Sequence, residues 1–310
     1  MGYGVKVLVL LGVGAALSAP VAAGEGTPNK LLLAKYETIS KSHPALASAL
    51  PVHLQTAVQN SQVSVSLVGR IAYPFDEVAA VLSDPLAYCE FLPLLFNVKS
   101  CVVTERASID KIRYYVAGKN YTPPLTSYRL NTTYQVVQRR PNLLHVLMQA
   151  DRDGLGASTY RVDLMITPRG KETLISVESL YAPGRLTRAA THTYVNLFAR
   201  NKPGFTLVKS GKKGTQQYIT GFPAIIERSV VRSYLALSAY LGTKNVTDGG
   251  RLDAQLQRMY SLNQPYRTQL YEMERDEYLA IKRRERKNQL KMQRKADQSA
   301  AVKVGMVSSK

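Results

Sequence analysis

Cysteine, histidine and acidic side chains are scarce in this 310-residue chain, and each shortage removes a class of chemistry. Two cysteines, Cys89 and Cys101, with no histidine near them, do not make a zinc site. The four histidines, His43, His53, His145 and His192, are scattered, and none stands in metal-ligand spacing. There is no Gly-x-Ser-x-Gly elbow, no phosphate loop and no His-Glu-x-x-His helix. Gly204, Gly211 and Gly214 do not follow a strand and open a helix, and Asp151 and Asp153, near a turn, are weak support for acid–base chemistry. Neither a metal nor a cofactor is expected. Beyond the first twenty-odd residues no stretch is apolar for long enough to span a bilayer, and there is no internal repeat.

What is present is a basic chain with ample apolar material. It is 45% hydrophobic, enough for a core, and carries 41 Lys/Arg against 22 Asp/Glu. The imbalance sits in the back of the chain: residues 24–181 hold 16 basic against 13 acidic side chains, 182–250 hold 10 against 2, and 251–310 hold 14 against 7. Such an excess favours anionic surfaces or is simply a solvated exterior. The first 23 residues have the plan of a secretory signal, with Lys6, an apolar run from Val7 to Leu17, and small residues at Val21-Ala22-Ala23 before Gly24. The protein is therefore expected to be exported, periplasmic or secreted, with an uncleaved membrane anchor as the alternative. Export permits a Cys89–Cys101 disulfide, which would close a loop of about a dozen residues and add roughly 3 kcal/mol. Two free buried thiols fit the sequence as well.

The hydrophobic period organises the rest. Thr27-Pro28 reads as a helix start, with a short helix through Leu31 to Ile39 and a second over Ala45 to Val58, interrupted near Pro51. From residue 61 the period becomes two, with Val63, Val65, Leu67 and Ile71 on one side of a strand. Pro74 opens a helix with Phe75, Val78, Ala79 and Leu82 on one side, and Asp84-Pro85 caps or turns the chain into another at 86–92. Six strand-like runs follow, marked by Val98–Arg106, Ile112/Tyr114/Val116, Tyr128–Val136, Leu144/Val146/Met148, Tyr160/Val162/Leu164/Ile166 and Ile175/Val177. This is an antiparallel meander with one apolar face, and that face needs a cover. A helix from Phe222 to Leu241 supplies one, with Ile226, Val230, Ser233, Leu237 and Tyr240 on one stripe and Gly242 as its stop. A basic insertion, 182–221, precedes it, with a short helix expected over Thr191–Ala199. After Asp248-Gly249-Gly250 comes a charged helical extension, 251–295, and a tail from Ala296 expected to be disordered.

This α+β order resembles the helix-grip fold, and the residues carry the likeness too. Val68-Gly69-Arg70-Ile71-Ala72-Tyr73-Pro74-Phe75-Asp76-Glu77-Val78 and Leu82-Ser83-Asp84-Pro85-Leu86-Ala87-Tyr88-Cys89-Glu90-Phe91-Leu92-Pro93 are similar to the first strand and helices of the coenzyme Q-binding START-domain family, within the START, polyketide cyclase and Bet v 1-like group. The likeness covers about residues 61–241 apart from the insertion; that insertion, the C-terminal extension and the leader are departures from the usual member. It implies a cavity between a curved sheet and the long helix, holding a hydrophobic small molecule or lipid such as an isoprenoid quinone, a sterol or a fatty-acid derivative.

Expected cavity residues are Phe91, Leu92, Tyr114, Tyr134, Val146, Tyr160, Val162, Ile226, Val230 and Leu237, although any one such residue is more often plain core than ligand contact. The three tyrosines interest most, because a buried phenol requires a hydrogen-bond partner. Lys202, Phe205, Lys209, Lys212 and Lys213 combine cations with an apolar residue and are candidates for contact with an anionic membrane. A nucleic-acid partner is not expected, since no recognition motif accompanies the charge. Two other readings stand beside the carrier: a cyclase- or hydrolase-type enzyme using the same cavity, and an envelope adaptor that binds a protein partner through 251–295.

Overall fold

The computed structural model describes residues 27–42, 51–60, 62–150, 159–182, 202–209 and 215–308. The expected leader, the helix over Thr191–Ala199, Asp151, Asp153, Lys212 and Lys213 lie outside the described residues.

An eight-stranded antiparallel sheet forms the centre of the molecule, in the order β1-β2-β8-β7-β6-β5-β4-β3. Its strands are β1 (Val52–Gln59), β2 (Gln62–Ile71), β3 (Val98–Glu105), β4 (Asp110–Val116), β5 (Tyr128–Arg140), β6 (Leu143–Ala150), β7 (Thr159–Arg169) and β8 (Glu172–Ala182). β1 corrects the later part of the helix expected over 45–58, whose residues 45–50 lie outside the described ones. It pairs with β2 from Val52↔Gly69 to Gln59↔Gln62, turning at Asn60 in the left-handed region (φ 49°). Val52 and Leu54 alternate toward the core, a period of two that pairing with β2 enforces over local helical spacing.

Helices cover both faces. α1 (Pro28–Ser42) lies on the outer face, where Leu32 and Tyr36 pack with Val68 and Leu174. On the inner face, α2 (Phe75–Leu82) and α3 (Pro85–Phe91) cross one end of the sheet. Asp84 caps α3 as expected, its Oδ1 accepting the Leu86 N–H at 3.0 Å. The long helix α4 (Gly221–Leu241) runs over the remainder. Gly242 follows it with ordinary helical φ, and the Arg258 guanidinium lies over the space a Cβ would take. A sheet gripped by a long C-terminal helix behind two short ones is the helix-grip architecture.

The C-terminal extension forms a third layer. α5 (Asp248–Asn263) packs on α4, the short α6 (Arg267–Leu270) follows, and α7 (Arg275–Ser308) lies along the edge strand β3. Leu256, Met259, Leu270, Met273, Tyr278 and Leu279 join the main core, so this part of the extension packs on the chain's own domain. α7 also continues to Ser308 where disorder was expected, because a helix already pinned at one end extends without a new nucleus.

α7 shields β3's unpaired backbone with side chains. Gln293 accepts the Val103 N–H and donates to the Val103 carbonyl, both at 2.9 Å. Tyr278 donates to Leu94 O, Gln289 to Cys89 O and Lys282 to Val98 O, at 2.7, 2.7 and 2.9 Å. Between them lies a buried ionic group. Glu285 receives Lys99 at 3.0 Å and Lys282 at 2.6 Å, and all three side chains are at most 2% exposed. Two buried ammonium groups around one carboxylate leave an uncompensated positive charge, and burial pushes Lys282 down to about 8 and lowers Lys99.

Candidate functional site

α2 and α3 pack against the half of the sheet bearing Ile112, Tyr134, Val146 and Ile166, and that half is solid. Over the other half α4 stands off, leaving a cavity of about 380 Å³. Its floor is formed by Tyr114 and Val116 of β4, Tyr128 and Leu130 of β5, Met148 of β6, Tyr160, Val162 and Leu164 of β7, and Ile175, Val177, Ser179 and Tyr181 of β8. Phe222, Ile225, Ile226, Ser229, Val230, Ser233 and Leu237 form the roof, at helical spacings of three and four. Tyr88, Phe91, Leu92 and Leu95 close one side.

Eight of the ten expected cavity residues are in this wall: Phe91, Leu92, Tyr114, Tyr160, Val162, Ile226, Val230 and Leu237. Tyr134 and Val146 are not. They lie under α2 and α3, where the Tyr134 hydroxyl donates to the Leu82 carbonyl at 2.6 Å and Val146 is 1% exposed in packed core. Among the residues not anticipated, Ser179 and Tyr181 continue the alternation of Ile175 and Val177, so period-two reading carried two turns of the pleat further would have found them.

No Asp, Glu, Lys, Arg or His is among the described lining residues. α4 achieves this by turning its ions to its back. Glu227, 0% exposed, accepts the Thr56 hydroxyl and the N–H groups of Phe205 (2.6 Å) and Thr206 (3.1 Å). Arg228 donates to the Lys202 and Pro203 carbonyls, and Arg232 to Leu270 O and Glu272. Burial alone would raise Glu272, but Arg232 and Lys202 beside it hold its carboxyl below the usual range.

Those contacts also correct the membrane-contact expectation for two residues. Lys202 pairs with Glu272 at 2.8 Å and donates to the Tyr271 carbonyl, and Phe205 packs into the core beside the Tyr266 ring, 6.0 Å away. Both anchor the segment to α4 and to the residues flanking α6. Gly204 between them leaves no room for a Cβ, which would run into Glu227 Oε2 and Ile219 Cγ2. Lys209 is exposed, at the end of a small hairpin of β9 (Leu207–Lys209) and β10 (Gln216–Tyr218) that also exposes Leu207 and Tyr218.

The polar atoms of the wall are neutral. Tyr88 sits 5.3 Å from the Tyr134 ring, 5.0 Å from Phe91 and 6.4 Å from Tyr114, whose hydroxyl donates to Met148 Sδ. Burial drives Tyr88 and Tyr114 far above the usual phenol range and pushes Tyr160 up to about 12, so all three are uncharged at neutral pH. The Ser229 and Ser233 hydroxyls bond back to Ile225 O and Ser229 O, each at 3.0 Å. Cys89 and Cys101 are disulfide-bonded, Cα atoms 5.0 Å apart, tying α3, which carries Tyr88 and Phe91, to β3. Among the described residues no group of three or more His, Cys, Asp or Glu is placed to hold a metal, and no helix is long and apolar enough to cross a membrane.

No protein-family model matches the sequence, and no curated protein matches it. Solved structures similar to this one include the STAR-related lipid transfer protein of Xanthomonas axonopodis (11% identity, 62% of this chain and 92% of that one, TM-score 0.39). Human STARD10 is similar at 12% identity over 51% and 73% of the two chains, TM-score 0.31. The Zhui aromatase/cyclase of Streptomyces sp. R1128 is similar at 12% identity over 64% and 94%, TM-score 0.29. The fold assignment rests on the strand order and helix placement given above.

Proposed function

We propose that this protein binds, and carries, a hydrophobic small molecule in the cavity between the sheet and α4. One observation carries the reading: a cavity of about 380 Å³ with apolar walls. An apolar occupant buries its own surface there, at roughly 25 cal/mol per Å² before the costs of association. No covalent step is required.

The resemblance of residues 68–93 to coenzyme Q-binding START proteins makes an isoprenoid quinone one candidate, beside sterols and fatty-acid derivatives. Export through the leader and loading at an anionic bilayer belong to the same proposal. Lys209, Leu207 and Tyr218 on the exposed hairpin, with Lys212 and Lys213 between its strands in sequence, support the latter. Solvent extraction of the purified chain followed by mass spectrometry is expected to recover a co-purifying lipid, and fluorescent lipids are expected to be taken up. Empty extracts together with no uptake refute the proposal.

A further inference from the structure

The unpaired hydroxyls of the cavity narrow the ligand class, on the footing that the cavity is a binding site. Several polar atoms in the wall are already engaged: Tyr114 with Met148 Sδ, Ser229 and Ser233 with their own helix, and Tyr234 with the Arg70 carbonyl. The hydroxyls of Tyr160 and Ser179 have no hydrogen-bond partner among the described residues. They sit on neighbouring strands, Tyr160 opposite Tyr181 and Val162 opposite Ser179, so they are diagonal neighbours on one face. Each can donate and accept, and a donor or acceptor turned into an apolar space costs free energy until something meets it.

The charges around the site point the same way. Arg228 and Arg232 are committed to carbonyls and to Glu272 behind α4, and the carboxylate that approaches from α3, Glu90, accepts from Tyr240 and Arg286. A fatty-acid carboxylate or a phosphate group inside would meet no described cation in the wall. From this juxtaposition we infer that the cavity selects an uncharged lipid bearing a hydroxyl or carbonyl oxygen, held by Tyr160 Oη and Ser179 Oγ, and rejects the anionic lipid of the same chain length. An alcohol or carbonyl satisfies both side chains without desolvating an ion, whereas a buried carboxylate with no partner loses several kcal/mol of hydration.

The test uses the full-length protein and displacement of the neutral fluorescent probe N-phenyl-1-naphthylamine by 1-hexadecanol or hexadecanoate at pH 8.5. Hexadecanol is expected to displace the probe at a concentration at least about tenfold lower than hexadecanoate. Tyr160→Phe and Ser179→Ala are each expected to weaken hexadecanol about fivefold, the value of one ordinary hydrogen bond, relative to the probe, whose own affinity is measured in each variant and divided out. Hexadecanoate binding as tightly as the alcohol overturns the inference and leaves the carrier reading standing. So does unchanged hexadecanol affinity in both variants. Failure of the probe and both lipids to bind at all sinks the carrier reading itself.

Discussion

Val162→Phe tests directly whether the space under α4 exists. Val162 projects from the middle of β7 into the cavity floor, between Met148 and Ser179 on the neighbouring strands. Phenylalanine adds four carbons. At about 0.8 kcal/mol per buried carbon, filling the void adds up to about 3 kcal/mol of burial. Were the layers interlocked, the same ring would overpack them and cost about 1–3 kcal/mol. The two cases differ in sign. Urea unfolding of lipid-stripped protein is expected to show a higher midpoint for the variant with an unchanged slope, and a thermal midpoint higher by about 2–4 °C for each kcal/mol gained. Uptake of fluorescent lipid by the variant is expected to fall at least about tenfold, since the added ring occupies ligand volume. A lower urea midpoint with undiminished lipid uptake would refute the cavity argument.

Glu285→Gln leaves Lys99 and Lys282 buried without their shared carboxylate and is expected to cost about 3–5 kcal/mol in urea unfolding, with α7 becoming the first site of proteolysis. Stability is expected to rise with pH from about 8 toward 10.5, because burial sets Lys282 to about 8 in the folded state against 10.5 unfolded, so the unfolded chain binds more protons over that window. Above about 10 the buried phenols Tyr88, Tyr114 and Tyr134, raised when folded, reverse the trend; Lys282→Met should flatten the rise, read from urea midpoints across pH. Gly204→Ala is expected to destabilise by about 1–3 kcal/mol and to make the β9–β10 hairpin protease-sensitive, as the new methyl group displaces Glu227 from the Phe205 and Thr206 N–H groups.

The inner face of the sheet was legible because one-sided burial forces strict alternation: Tyr114, Tyr160 and Val162 could be assigned to it from parity alone. What parity does not report is which part of that face is covered tightly. Tyr114 and Tyr134 share a face, yet α2 and α3 fill the space over Tyr134 and leave Tyr114 at the edge of a void. The β1 strand was hidden because its apolar residues also satisfy a helical spacing, and only the backbone of β2 decides between the two. Glu227, Arg228 and Arg232 on the back of α4 are buried because β1, residues 202–206 and the C-terminal layer, all distant in sequence, close over them. Lys202 and Phe205 were misassigned for the same reason, since their partners at 227, 266 and 272 are distant in sequence.

Being clasped on both sides has a mechanical consequence for α4. In a two-layer grip the long helix can act as a lid, because lifting it breaks one interface. Here the same movement would also tear Arg228 and Arg232 from their carbonyls and strip α5 from its back. For the proposed ligand the less costly route is then the rim at Tyr181 and Phe222, whose rings pack 5.0 Å apart.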